Sequence, residues 1–106
     1  MNRRLKLHEI FAEILGTQGQ KKTRVYFQPP SNVQMDYPSI VYQRSRMDPR
    51  YANDKLYRSI QCYMVTVIDS DPESEIPSKI LQLPFCRFDR HFTKEQLNHD
   101  VFSIFY

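Results

Sequence analysis

Four carboxylates, Asp69, Asp71, Glu73 and Glu75, fall within seven residues in the stretch "DSDPESE". Acidic oxygens so closely spaced suit a calcium loop or paired acid–base chemistry. A calcium loop of EF-hand type needs oxygen ligands at fixed offsets, a glycine at its sharp turn and a closing glutamate. "DSDPESEIPSKI" starts correctly with Asp69 and Asp71 but places Ser74 at the glycine position and Ile80 at the glutamate position. That loop is therefore not encoded here. Carboxylates also gather ahead of helices, where free N–H groups and the helix dipole favour negative charge. On this reading the acidic run is punctuation between a strand and a helix.

A second group comprises His91, His99 and Asp100, with Asp89. His99 and Asp100 are neighbours, and in a strand they point to opposite faces, so the set does not converge. Cys86 with His91 is a candidate nucleophile and base, but it lacks a third residue to orient the base. The chain contains no HExxH, no GxSxG and, with only two glycines, no phosphate-cradling loop. Neither Cys62 nor Cys86 belongs to a CxxC motif, so zinc and redox motifs are unsupported; whether the two pair is left open. Tyr26, Phe27, Tyr37 and Tyr42 lie near Arg24, Arg44 and Arg46, an interleaving able to stack on unpaired bases. Aromatics on strands serve more often as core or interface, and a net charge of +3 is a weak electrostatic signature. No cofactor, metal site or catalytic residue is expected.

These residues need elements to hold them. Leu7, Ile10, Phe11, Ile14 and Leu15 recur at helical spacing and predict an amphipathic helix over residues 3–15, with Gly16 as its C-terminal cap. "RVYFQPP" reads as a short strand stopped by Pro29 and Pro30, and "SIVYQRS" as a second strand entered through Pro38. "RMDPRYANDKL" is turn-rich. "YRSIQCYMVTVID", residues 57–69, alternates in its first half and is apolar on both faces in its second, as for a strand ending mid-sheet. Ile76, Ile80 and Leu83 mark a short helix with Pro77 in its first turn and Ser74 as N-cap. "FCRFDRHF" and "DVFSIFY" are two further strands joined by the polar "TKEQLNH".

The 106 residues thus form a single α+β domain, 1–106. Its expected architecture is an antiparallel β-sheet with the N-terminal helix and a second short helix packed on one face. His8, Glu9 and Glu13 interrupt the apolar region that a signal peptide would need, and no run approaches ~20 apolar residues. An intracellular, soluble chain is expected. The tyrosine- and arginine-rich "RSRMDPRYANDKLYR" has the residue types of protein–protein hot spots, and a long strand can add to a neighbour's sheet edge.

Together, "VYFQPPSNVQMDYPSIVYQRS", "YMVTVIDSDPESEIPSKILQLP" and "LNHDVFSIFY" resemble a family of small tailed-bacteriophage virion proteins of the tail-terminator or tail-to-head joining type. The similarity runs over most of the chain and rests on features of a packed fold. It implies a non-enzymatic α+β subunit that closes into a homo-oligomeric ring, usually a hexamer. Such a ring caps the tail tube and joins it to the neck. The implied partners are the tail tube protein and neck or connector proteins, with DNA passing through the ring without sequence-specific binding and no membrane involved. The implied location is the virion, after synthesis in the host cytoplasm. By position, the contacts to adjoining subunits run from Arg44 to Tyr57, both included, with Arg46, Arg50 and Tyr51 as anchors. Asp69, Asp71 and Glu73 are placed toward basic loops of a neighbour or a lumen carrying DNA. Other neck and tail-completion connectors share this size and fold. A small monomeric nucleic-acid-binding phage protein is the reading from a different class.

Overall fold

Thirteen residues, Arg3–Leu15, wind into helix α1 in a computed structural model that describes residues 3–17, 19–21, 23–32, 34–45 and 61–106. The apolar stripe seats Leu7 and Phe11 completely inside, with Ala12 beside them. Gly16, at φ +75°, ends the helix. Its N–H donates to the Glu13 carbonyl at 3.0 Å, and the Thr17 N–H donates to the Ala12 carbonyl at 2.9 Å. This is the paired closure that a left-handed glycine makes available. The Thr17 hydroxyl, buried, ties the turn to the Thr23 carbonyl.

Five strands follow: β1 (Val25–Phe27), β2 (Ser39–Arg44), β3 (Cys62–Asp69), β4 (Cys86–Lys94) and β5 (Leu97–Phe105). The six-residue helix α2 (Ile76–Leu81) lies between β3 and β4. The strands make one sheet in the order β1-β2-β3-β5-β4. Three of its four pairings are antiparallel, as expected, but β1 runs parallel to β2, with Val25 opposite Ile40. The sheet is therefore mixed. The connection from β1 to β2 includes Pro29 and Pro30, and β2 is entered through a cis Tyr37–Pro38 bond.

β3 occupies the middle of the sheet, which explains its apolar second half. Tyr63, Val65 and Val67 point to the helix side and join Leu7, Phe11, Ile40, Tyr42, Ile80, Phe102 and Ile104 in one core. Both helices thus cover one face of an α+β sheet. Burying a side chain such as Phe11 or Phe102 there stabilises the fold by about 1.5–3 kcal/mol each. The other face carries no helix among the described residues. Met64, Thr66, His99 and Ser103 are half-buried there.

β4 and β5 extend further than the hydropathy pattern indicates. They take in most of "TKEQLNH" and leave only Glu95 and Gln96 as a two-residue turn, at φ +53° and +67°. Left-handed pairs of this kind ordinarily use Asn-Gly, so Glu-Gln hides the hairpin from sequence inspection. Among the described residues, no helix is long and apolar enough to cross a membrane.

Candidate functional site

β4 is the outer strand of the sheet, and every residue after Cys86 is exposed. The other outer strand, β1, has three residues and runs into Pro29 and Pro30. Among the described residues, β4 alone therefore offers a long open edge, where another chain can add. A two-residue turn makes Lys94–Leu97 the closing hydrogen-bonded pair, so the backbone groups of His91 and Thr93 point outward.

A bulge between Phe88 and Arg90 resets the alternation of β4. Cys86, Phe88, His91 and Thr93 share the helix side, while Arg87, Asp89, Arg90, Phe92 and Lys94 share the helix-free side. Asp89, the extra residue, is fixed by the Ser103 hydroxyl (2.5 Å) and by Arg87 Nε (3.3 Å). Phe92 lies flat on His99, with ring centroids 4.6 Å apart, and the Arg90 guanidinium sits 5.8 Å from the Phe92 centroid. Lys94 has no partner among the described residues. The result is a basic stripe with an aromatic step, on the rim of the sheet.

The acidic run is organised differently. Asp69 Oδ1 accepts from the Asp71 N–H at 3.0 Å, and Asp71 Oδ1 accepts from the Glu73 N–H at 2.9 Å. Ser74 Oγ then accepts from the Ile76 N–H at 3.3 Å. Two carboxylates and a hydroxyl thus hand the backbone from β3 into α2. The helix itself begins one residue later than expected, with Glu75 at the N-cap and no side-chain cap there. The carboxylates shape the loop rather than sit in the first turn. Asp69 is buried, whereas Asp71, Glu73 and Glu75 are exposed. Among the described residues no group of three or more His, Cys, Asp or Glu is gathered as a metal site.

The histidines divide. His91 Nδ1 meets Asp100 Oδ1 at 2.8 Å across β4 and β5, while His99 faces the other side against Phe92. His8, which lies off the apolar stripe of α1, is not a surface residue. Its Nδ1 is 2.7 Å from the hydroxyl of fully buried Tyr42, and Arg4 Nη1 donates to the same oxygen at 3.2 Å. With Arg4 donating to Tyr42 Oη, the phenol proton goes to His8 Nδ1. Burial first, then the neighbouring Arg4 charge, lower the His8 pKa below its ordinary 6.5. Burial raises that of Tyr42. The cluster pins α1 to β2, with the Tyr42 side chain fully buried.

Cys62 and Cys86 are free thiols on β3 and β4, with β5 between them and on opposite faces, so they do not pair in this fold. Burial, reinforced by Asp89, pushes the Cys86 thiol up to about 11. Burial also raises Cys62. Cys86 stands opposite Ile104 and His91 opposite Asp100, roughly 13 Å apart along the strand, so they do not form a nucleophile–base pair. Tyr42, Phe27 and Tyr63 are packed against one another, and Tyr26 is tied to the Asp36 N–H. They offer no stacking platform for bases. An apolar recess of about 180 Å³ lies between Leu7, Ile10, Leu83, Phe85 and Ile104, small for a ligand site.

Of the expected interface residues, Arg44 is exposed at the end of β2 opposite Tyr63, and Asp69 lies at the far end of β3. The two poles are about 20 Å apart at strand rise. Arg46, Arg50, Tyr51 and Tyr57 lie outside the described residues. The stripe on β4 was legible as alternating basic and aromatic residues in "CRFDRHFTK", but its exposure depends on strand order. Comparison with family models, curated proteins and solved structures finds nothing that matches this chain.

Proposed function

We propose that the chain is a non-enzymatic structural subunit of a tailed-phage virion, of the tail-terminator type. Copies form a homo-oligomeric ring that caps the tail tube, joins it to the neck and lets DNA pass without sequence-specific contact. One observation carries this reading: among the described residues, the long strand β4 lies open at one edge of the sheet, with exposed cationic and aromatic side chains. The bulge and the charges on β4 bar indiscriminate strand addition, so this edge suits a contact made through its side chains with one complementary partner. The order α-β-β-β-α-β-β supports the same class by analogy of fold, which speaks to architecture rather than to station. The groups that hinted at chemistry are engaged in loop shaping and packing.

The test is mass and shape together. Native mass spectrometry and negative-stain images of the purified chain, alone and mixed with isolated tail tubes, should give one ring-sized species or a cap at one tube end. A chain that stays monomeric and leaves tubes uncapped would overturn the proposal.

A further inference from the structure

We infer that the basic stripe on β4 is the receiving half of a head-to-tail contact whose other half is the acidic loop 69–75 of a second copy. This rests on the ring reading and names the surfaces that make it.

The stripe carries Arg87, Arg90 and Lys94 against a single acid, Asp89, which Arg87 and Ser103 already occupy. Among the described residues, Arg90 and Lys94 therefore remain without a carboxylate partner, on one side of the strand and four residues apart. The outward N–H groups of His91 and Thr93 add donors along the same rim. The surface asks for an acceptor-rich, anionic partner. The loop supplies it. Glu73 and Glu75 are exposed and have no partner among the described residues, and Asp71 has one oxygen outside its turn bond.

The two patches do not neutralise each other within one protomer. The loop leaves β3 beside Asn98, whose side chain donates to the Asp69 carbonyl at 3.3 Å, and β5 separates it from β4. No ion pair joins Asp71, Glu73 or Glu75 to Arg90 or Lys94 among the described residues. Complementary patches that form no ion pair within one copy are open to pairing between copies. Because the patches differ, the contact is heterologous and propagates in one rotational sense, as a closing ring requires. A nucleic acid is the less favoured occupant: Asp89 and Asp100 lie within the same ribbon, and the stripe holds only two free cations.

Charge reversal tests the pairing on the full-length chain. Arg90→Glu with Lys94→Glu alters only exposed side chains, as does Glu73→Lys with Glu75→Lys, and far-ultraviolet circular dichroism checks that both variants fold. Each should weaken ring formation, in solution or on tubes, by at least about 100-fold, since opposed like charges cost several kcal/mol. An equimolar mixture of the two should reassemble, because the wild-type stripe of one then meets the wild-type loop of the other. Combining all four substitutions in one chain should also restore the ring. A ring indifferent to both reversals overturns this contact while leaving the ring reading intact. So does a ring lost only in Arg44→Glu, or an Arg90/Lys94 variant that keeps its ring mass but loses salt-dependent binding to a short DNA duplex. A chain that neither self-associates nor caps tubes removes both readings.

Discussion

Replacing Tyr42 with Phe removes one oxygen from the interior and leaves the ring in place. The ring touches Phe11, Phe27 and Tyr63 at centroid distances of 5.2, 4.9 and 5.9 Å, and those contacts survive. What is lost is the 2.7 Å bond with His8 and the 3.2 Å bond from Arg4. A net hydrogen bond contributes about 0.5–1.5 kcal/mol, and one to a charged group about 1.5–3. His8 is only half-buried and regains water, so the sum falls short of the two maxima. The expected cost of Tyr42→Phe is about 1–2 kcal/mol. Tyr42→Ala also empties a fully buried aromatic site and should cost about 3–5 kcal/mol or more, a large part of a stability of order 5–15. Urea unfolding at neutral pH measures both. His8→Ala alone and combined with Tyr42→Phe completes a cycle, with a coupling of about 1 kcal/mol expected. If Tyr42→Phe is neutral or stabilising and the coupling is zero, the hydroxyl does not anchor α1 and the assignment of the cluster fails.

Other outcomes follow from the same geometry. Because the His8 pKa is lowered, the unfolded chain takes up a proton that the native state resists; stability is complete above pH 6.5 and declines as pH falls below it. His8→Gln should flatten that decline, read as the urea midpoint against pH, and an unchanged slope would assign it elsewhere. Asp69→Ala should cost about 1–2 kcal/mol by orphaning the Asp71 N–H, while Asp69→Asn, which keeps an acceptor, should cost less than half as much; equal losses would mean that charge rather than the turn bond matters. Glu95→Asn with Gln96→Gly should stabilise by about 1 kcal/mol, since both positions hold left-handed backbone, and a lower thermal midpoint would contradict the turn assignment. Alkylation of Cys86 in the folded chain should run about 100-fold slower than in urea at mildly alkaline pH, because so little of it is thiolate; equal rates would refute its burial.

Local periodicity carried much of the fold. The spacing of Leu7, Phe11 and Ile14 gave α1 its range and its face, and the apolar residues on both faces across 65–68 pointed to a strand ending mid-sheet, where β3 lies. Neighbourhood was not legible, because a strand's pattern reports which face is wet and not which strand lies beside it. The parallel pairing of β1, the insertion of β5 between β3 and β4, and hence the exposure of the β4 stripe, all depend on long-range pairing. Nothing local to His8 points to its role, because its partner Tyr42 is thirty-four positions away. The acidic run was read correctly as punctuation, though its carboxylates bond to loop amides rather than to the helix dipole.

The placement of β5 between two earlier strands also sets an order of events during synthesis. β3 has β2 on one side as soon as both have emerged, but its other side stays unpaired until residues 97–105 have been made. β4, although translated first, has nothing to hold it until then. Nascent chains spaced along one messenger therefore expose the open side of β3, the central strand of the sheet, and the basic stripe does not yet exist as a surface. The last strand acts as a keystone, and the closed sheet with its β4 edge arrives with it in a single step.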